Sequence, residues 1–174
     1  HNYSVKGGAT YKINGRNYIS VNAIYQTKAP YYQNVFVSAR TRDFIIDNPQ
    51  NETDYSVDLS YTLNTPKVKL KASGYYSGLN DVSKVKSFYD ERYNSFGNIA
   101  ITNIDEVHFG GEFGLEYNIA KGISATVAAA VGRFYYTDRM KATTYVDNTQ
   151  TIYDADQTIY SKNFRVSGTP QQAY

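Results

Sequence analysis

Between Val107 and Ile119 the side chains alternate without interruption. The odd positions, Val107, Phe109, Gly111, Phe113, Leu115, Tyr117 and Ile119, are apolar, while His108, Gly110, Glu112, Gly114, Glu116 and Asn118 are small, polar or charged. Successive side chains of a strand point to opposite faces, so this period predicts a strand with one greasy and one hydrated face. Two environments satisfy such a strand. A soluble sheet turns the greasy face onto a dry core, and a membrane-spanning barrel turns it outward to lipid around a wet interior.

The same division recurs along the chain. Tyr55, Val57, Leu59, Tyr61 and Leu63 oppose Ser56, Asp58, Ser60 and Thr62, and Val68, Leu70 and Ala72 oppose Lys67, Lys69, Lys71 and Ser73. Six strand-length segments can be read, at about Tyr3 to Ile13, Asn17 to Thr27, Tyr55 to Leu63, Lys67 to Leu79, Val107 to Ile119 and Ile123 to Thr137. Most are long, since a tilted strand crosses a bilayer in roughly 9 to 11 residues whereas strands of globular proteins average about 5 to 6. Asn14-Gly15, Asn64-Thr65-Pro66 and Ala120-Lys121-Gly122 predict tight turns within three hairpins, the first a type I′ turn with positive φ at both central residues.

Between the hairpins lie Lys28 to Asp54, Asn80 to Glu106 and Asp138 to the C-terminus, each longer than the roughly 12 to 15 residues at which a structureless loop becomes unusual. They carry aromatic residues, Tyr31, Tyr32, Phe36 and Phe44 in the first and Phe88, Tyr89, Tyr93 and Phe96 in the second, and are expected to be folded outward loops. Short turns at one end and long loops at the other is the asymmetry of outer-membrane barrels. No composition shift marks a second domain, and residues 1–174 read as a single segment.

No run approaches the roughly 18 to 20 apolar residues of a membrane-spanning helix; the most apolar stretch, Ile123 to Val131, is interrupted by Ser124 and Thr126. Any crossing must be made by strands. The 174 residues include 19 Tyr and 8 Phe but no Trp and no Cys. Tyrosine suits boundaries where one end of the ring is buried and the other wet. The lack of Cys excludes a disulfide framework and a thiol nucleophile. A net charge of +2 without a block of like charges argues against nucleic acid as a partner. The chain opens on His1 with no Met and no leader pattern, as a mature protein or an excised piece would.

Several greasy faces are bracketed by Tyr or Phe, as at Tyr55 and Tyr61, Phe109 and Tyr117, and Tyr3 and Tyr11, in the manner of aromatic girdles. The expected fold class is therefore all-β, the antiparallel up-and-down hairpins of a transmembrane β-barrel, with about six strands and long outward loops. Barrels of this kind start at about eight strands. Open edges in hydrocarbon would leave amides unsatisfied, so the chain is either part of a larger barrel or one of several that close a barrel together, and a partial barrel is expected, with missing neighbouring strands as its first partner. Gly168 to Tyr174 read as the end of a loop approaching a next strand.

Gly7-Gly8-Ala9-Thr10-Tyr11-Lys12-Ile13-Asn14-Gly15-Arg16 and Ala29-Pro30-Tyr31-Tyr32-Gln33-Asn34-Val35-Phe36-Val37-Ser38-Ala39-Arg40 resemble the late barrel of TonB-dependent outer-membrane receptors of the Bacteroidetes type. Tyr55-Ser56-Val57-Asp58-Leu59-Ser60-Tyr61, then Pro66-Lys67-Val68-Lys69-Leu70-Lys71-Ala72 and Tyr75-Tyr76, are similar to that family's recurring hairpin, with Val57-Asp58-Leu59 where Glu-x-Gly is common. The resemblance spans the chain. It implies a barrel in the bacterial outer membrane, closed by further strands and plugged by an N-terminal domain not found in this sequence. It further implies lipid contact and active uptake of a small-molecule or oligomeric nutrient (an iron chelate, vitamin, oligosaccharide or peptide), driven by the TonB complex through that plug.

No cofactor and no catalytic role is expected. His108 stands on the hydrated face near Glu112 and reads as a lumen-facing polar side chain without a triad around it. Asp154 and Asp156, with Asp147 and Asn148, lack the Gly and distal Glu of a calcium loop. Lys67, Lys69 and Lys71 read as a hydrated strand face. Tyr31, Tyr32, Tyr89 and Tyr93 are the candidate ligand contacts, because rings in outward loops stack on sugars or flat ligands at low entropic cost. The alternative function is a soluble or surface-exposed β-barrel ligand-binding module; an outer-membrane enzyme ranks behind both.

Overall fold

In the computed structural model, which describes residues 2–38, 43–91, 94–146 and 151–168, the chain is all-β. Strands β1 (Tyr3–Lys12), β2 (Asn17–Lys28), β3 (Glu52–Asn64), β4 (Val68–Asp90), β5 (Ser95–Ala120), β6 (Ile123–Tyr136), β7 (Met140–Val146) and β8 (Ile152–Ile159) form one antiparallel sheet. Its order is β1-β2-β3-β4-β5-β7-β8, and β6 also pairs with β5. The sheet is not closed.

The three expected turns join β1 to β2, β3 to β4 and β5 to β6. The first works differently from the expectation. Neither Asn14 nor Gly15 has positive φ; the Asn14 carboxamide oxygen instead accepts the Arg16 and Asn17 backbone N–H groups at 2.9 and 3.1 Å. The loop is thus a longer Asx-stabilised one in place of the two-residue type I′ turn. At the second turn Thr65 Oγ1 accepts the Val68 N–H at 2.9 Å, and at the third Gly122 supplies the left-handed residue with φ +82°.

The register carries the alternation across the sheet. Ala9, Val21, Leu59, Gly74, Gly111 and Val131 form one row on one face, flanked by Tyr11, Ile19, Tyr61, Ala72, Phe113 and Ala129 toward the turns. On the other face Thr10, Ser20, Ser60, Ser73 and Glu112 stand in line. Cross-strand contacts there are polar: Thr10 Oγ1 to Ser20 Oγ at 2.9 Å, Asn22 Nδ2 donating to Asp58 at 3.0 Å, and Lys69 Nζ to Glu116 at 3.1 Å.

Two of the expected loops are strands. Asn80 to Glu106 is mostly the outer arm of the β4–β5 hairpin, which runs on to Asp90 and Ser95, and β7 and β8 lie beyond Asp138. The pairing slips between Leu79 and Val82 and again before Lys84, with Asp81 at φ +59° and Asn103 at φ +55°. Bulges of this kind shift side chains from one face to the other, so a period-two pattern read through them disappears. At this level β5 also changes partner. It pairs with β6 along Glu106 to Ala120 and with β7 along Gly97 to Thr102.

Burial is confined to the loop end. Among the described residues the buried apolar ones are Val37, Ile46, Ala100, Ile104, Val107, Met140, Ala142, Tyr145 and Val166. From the row of Tyr55, Gly78 and Val107 toward the turns, no described residue beyond that row is buried. The apolar face of the six-stranded part therefore packs against nothing within the described chain. Val5, Tyr11, Val21, Leu59, Phe113, Tyr117, Val127 and Val131 all stand exposed on it. Among the described residues nothing pairs with the outer edge of β1, while β6 is met at its loop end by the segment around Arg165, with the Val166 N–H donating to the Phe134 carbonyl at 3.0 Å.

Candidate ligand-contact surface

The loop between β2 and β3 is tied down before it presents any side chain. A single 3₁₀ turn, Tyr32–Asn34, directs the Val35 and Phe36 N–H groups onto the Tyr32 carbonyl at 3.0 and 2.8 Å, and Phe36 then bridges Ile45. This folds Val37 and Ile46 onto Ala100 of β5 and Tyr145 of β7, with Val35, Phe44 and Val85 around them. Tyr145 is only 1% exposed and meets the Phe44 ring edge-on at 5.3 Å. Burial, with the charges of Asp47 and Asp156, pushes its hydroxyl pKa up and keeps it neutral. A small apolar core thus makes a platform from a loop and the outer arm.

On this platform Tyr31 and Tyr32 are 66% and 68% exposed, with their backbone carbonyls engaged in the turn. Tyr89 lies at the tip of the arm and belongs to β4 itself. It pairs with Phe96 across the hairpin, ring edge to face at 5.4 Å, and its hydroxyl donates to Asn94 Oδ1. Among the described residues no ring contact joins Tyr31 or Tyr32 to Tyr89, so these form two aromatic patches. Tyr93 lies outside the described residues. Sequence reasoning passed over Tyr160 and Phe164, both more than two-thirds exposed near the same end. The Arg139 guanidinium stacks over the Tyr160 ring at 4.9 Å. Their one signal was aromatic content in a segment read as loop.

Comparison with protein-family models, curated proteins and solved structures found no match.

The hydrated face leads up to this platform. Lys28 bridges Glu52 at 3.3 Å and Asp54 at 3.1 Å, and Gln26 donates to Asp54 at 2.9 Å. Burial works against the Lys28 charge, but the hydrogen bonds to Asp54 and Glu52 outweigh it and hold the ammonium pKa above its ordinary value. His108 Nε2 lies 3.2 Å from Glu106, so its carboxylate partner is on the opposite side from Glu112. Of the three strand-face lysines, Lys69 pairs with Glu116, Lys71 stands opposite Gly114, and Lys67 sits in the turn before β4. Asp154 accepts from Gln157, and Asp156 occupies a left-handed position on β8 at φ +53°. Asp147 and Asn148 lie outside the described residues. No group of three or more His, Cys, Asp or Glu that could hold a metal ion occurs among the described residues. The surface offers ring faces and hydrogen-bonding groups.

Proposed function

We propose that this sheet is a wall segment of a transmembrane β-barrel in the bacterial outer membrane, of the TonB-dependent receptor type, serving active nutrient uptake. The observation that carries the reading is the uncovered apolar face, bordered by tyrosines. Tyr25, Tyr55 and Tyr135 mark the loop-side border, and Tyr11, Tyr61 and Tyr117 stand toward the turns. From the Tyr55 row to the Leu63 row the strand rises roughly 26 Å at about 3.3 Å per residue, or about 20 Å at a tilt of roughly 40°, near the height of an outer-membrane apolar band. The polar ladder on the other face suits a wet interior. A soluble module would instead need this face as its core.

The unpaired β1 edge supports closure by further strands, since lipid-exposed sheet edges do not persist in hydrocarbon. Tyr31, Tyr32 and Tyr89 are the ligand contacts of this reading, on outward platforms above the wall. The receptor class rests on the resemblance of the hairpins. The full-length protein should fractionate with outer membranes, require detergent for extraction and migrate differently on gels before and after boiling. Recovery as a monodisperse soluble monomer without detergent would overturn the membrane assignment.

A further inference from the structure

Arg16, Lys67 and Lys121 each sit in one of the three hairpin turns, and no carboxylate accompanies any of them there. All three are exposed. The turns are tied to their neighbours through the backbone: the Asn64 N–H donates to the Arg16 carbonyl at 2.8 Å, the Asn118 N–H to the Lys67 carbonyl at 2.8 Å, and Asn118 Nδ2 to the Pro66 carbonyl at 3.0 Å. Neighbouring hairpins of one sheet lie two strands, roughly 10 Å, apart. The three cations therefore line one rim on a fixed backbone, close enough for their fields to add at low salt.

Among the described residues nothing at this end balances them. The nearest carboxylate, Glu116, is taken by Lys69 at 3.1 Å, and Lys12 and Lys71 add charge on the hydrated face just above the turns. No ion pair among the described residues engages Arg16, Lys67 or Lys121. Apart from Asp58, Glu112 and Glu116, every described Asp and Glu lies from the Asp54 row outward to the loop end. The sheet thus has one cationic end, and Tyr11, Tyr117 and Ile119 of the apolar face stand exposed immediately above it. A surface that passes within a few residues from apolar side chains through tyrosine to unpaired cations matches the boundary of a bilayer with anionic headgroups. An acidic protein would call for the cations but not for the apolar border.

We propose that the turn end of the sheet contacts an anionic lipid surface, with Arg16, Lys67 and Lys121 each reaching a headgroup phosphate of the leaflet at that end. The proposal rests on the membrane reading above, and adds to it the charge of that leaflet and the side chains that recognise it. Long basic side chains keep their stems along apolar surface while the charged heads reach the polar boundary. There guanidinium and ammonium groups make charge-assisted hydrogen bonds to phosphate, the guanidinium often bidentate. Lys12, Lys69 and Lys71 lie on the hydrated face and contribute field, not contact.

The test uses the full-length protein reconstituted in phosphatidylcholine vesicles doped with spin-labelled phosphatidylglycerol or spin-labelled phosphatidylcholine. The fraction of each label immobilised at the protein gives their relative affinities. The wild type should prefer phosphatidylglycerol, and Arg16→Gln with Lys67→Gln and Lys121→Gln should lower that preference about fivefold at low salt, the scale of one basic side chain at an anionic surface. Salt at about 1 M should abolish the difference. Lys84→Gln with Lys86→Gln, exposed on the outer arm of β4, should leave the preference unchanged. An unchanged preference in the triple variant would overturn the proposal and leave an acidic protein as the partner of this rim. An equal fall in the outer-arm variant would overturn it as well, since selectivity would then follow overall charge. Flotation of the vesicles separates the levels of failure: wild type that floats but fails these comparisons refutes the anionic contact alone, and wild type that does not float refutes the membrane reading with it.

Discussion

The Tyr75 hydroxyl lies over Gly110, and a methyl group at Gly110 would come within 2.8 Å of that oxygen and 2.3 Å of the Val131 carbonyl oxygen. The ring reaches across β5 on the hydrated face, and Gly132 of β6 is covered by the same hydroxyl at 2.9 Å. Gly78 is covered on the opposite face by the outer end of the Tyr55 ring, at 2.3 Å. The obstruction at Gly110 is partly backbone and the one at Gly78 is the tip of a side chain. Gly110→Ala should therefore destabilise the fold by about 3 kcal/mol and Gly78→Ala by about 1 kcal/mol, within the usual range for overpacking. Urea unfolding in detergent, followed by tyrosine fluorescence, gives the order of the two; the reverse order would refute this account of the contacts.

Asp81 occupies a left-handed position in the β4 bulge, and its backbone N–H donates to Asp105 Oδ1 at 2.8 Å. Burial, and then the charge of Asp105, hold its carboxyl pKa above the ordinary 3.8. The folded state thus disfavours the ionised form, a penalty absent below the unfolded pKa and complete once the pH exceeds the folded one. Asp81→Asn keeps a residue that accepts positive φ and removes the charge. The variant should melt a few degrees higher at pH 7, and the gain should vanish as the pH falls below 3.8. A gain independent of pH would point to something other than the charge.

Lys28 neutralises two carboxylates at once, and the Glu52 side chain is only 5% exposed. Asp54 Oδ1 is buried with no hydrogen-bond partner among the described residues, so the ammonium is the main compensation for this corner. Lys28→Met should cost about 2 kcal/mol, below the value for a fully buried pair because the lysine itself is partly exposed. The raised lysine pKa makes this contribution complete below 10.5 and lost as the pH climbs through the folded value. Wild type and variant should therefore converge in stability at strongly alkaline pH, as read from melting curves.

Tyr145 ties the β2–β3 loop to the outer arm through Val37, Ile46 and Ala100. Tyr145→Ala should remove about 3 to 5 kcal/mol of local packing. Since the six-stranded part has no share in that core, the loss should appear as proteolysis within residues 29–51, with the turn-side strands still protected in hydrogen exchange. Simultaneous loss of protection in β1 and β2 would mean that the loop-end core and the six-stranded part unfold as one unit.

Much of the six-stranded part was legible in the sequence, because side-chain direction in a strand is a local property. Val107 to Ile119 announces its two faces by composition alone, and the register then brings like faces of β1 to β6 together. Asn64-Thr65-Pro66 and Ala120-Lys121-Gly122 mark turns through the immediate needs of the backbone. Asn14-Gly15 marked the position of its turn but not its type, which the Asn14 side chain decides. The outer arm was not legible: bulges at Asp81 and Asn103 break the period, and a pattern method has no phase beyond them. Tyr31, Tyr32 and Tyr89 are exposed, yet the separation of a Tyr31/Tyr32 patch from a Tyr89/Phe96 patch depends on where the loop docks. That docking, like the core of Val37, Ile46, Ala100 and Tyr145 and the pairing of Gly74 with Gly111, comes from residues distant in sequence. Alternation by itself determined which way each side chain faces; only the tertiary structure decided which faces meet, because contact depends on register and packing between separate strands.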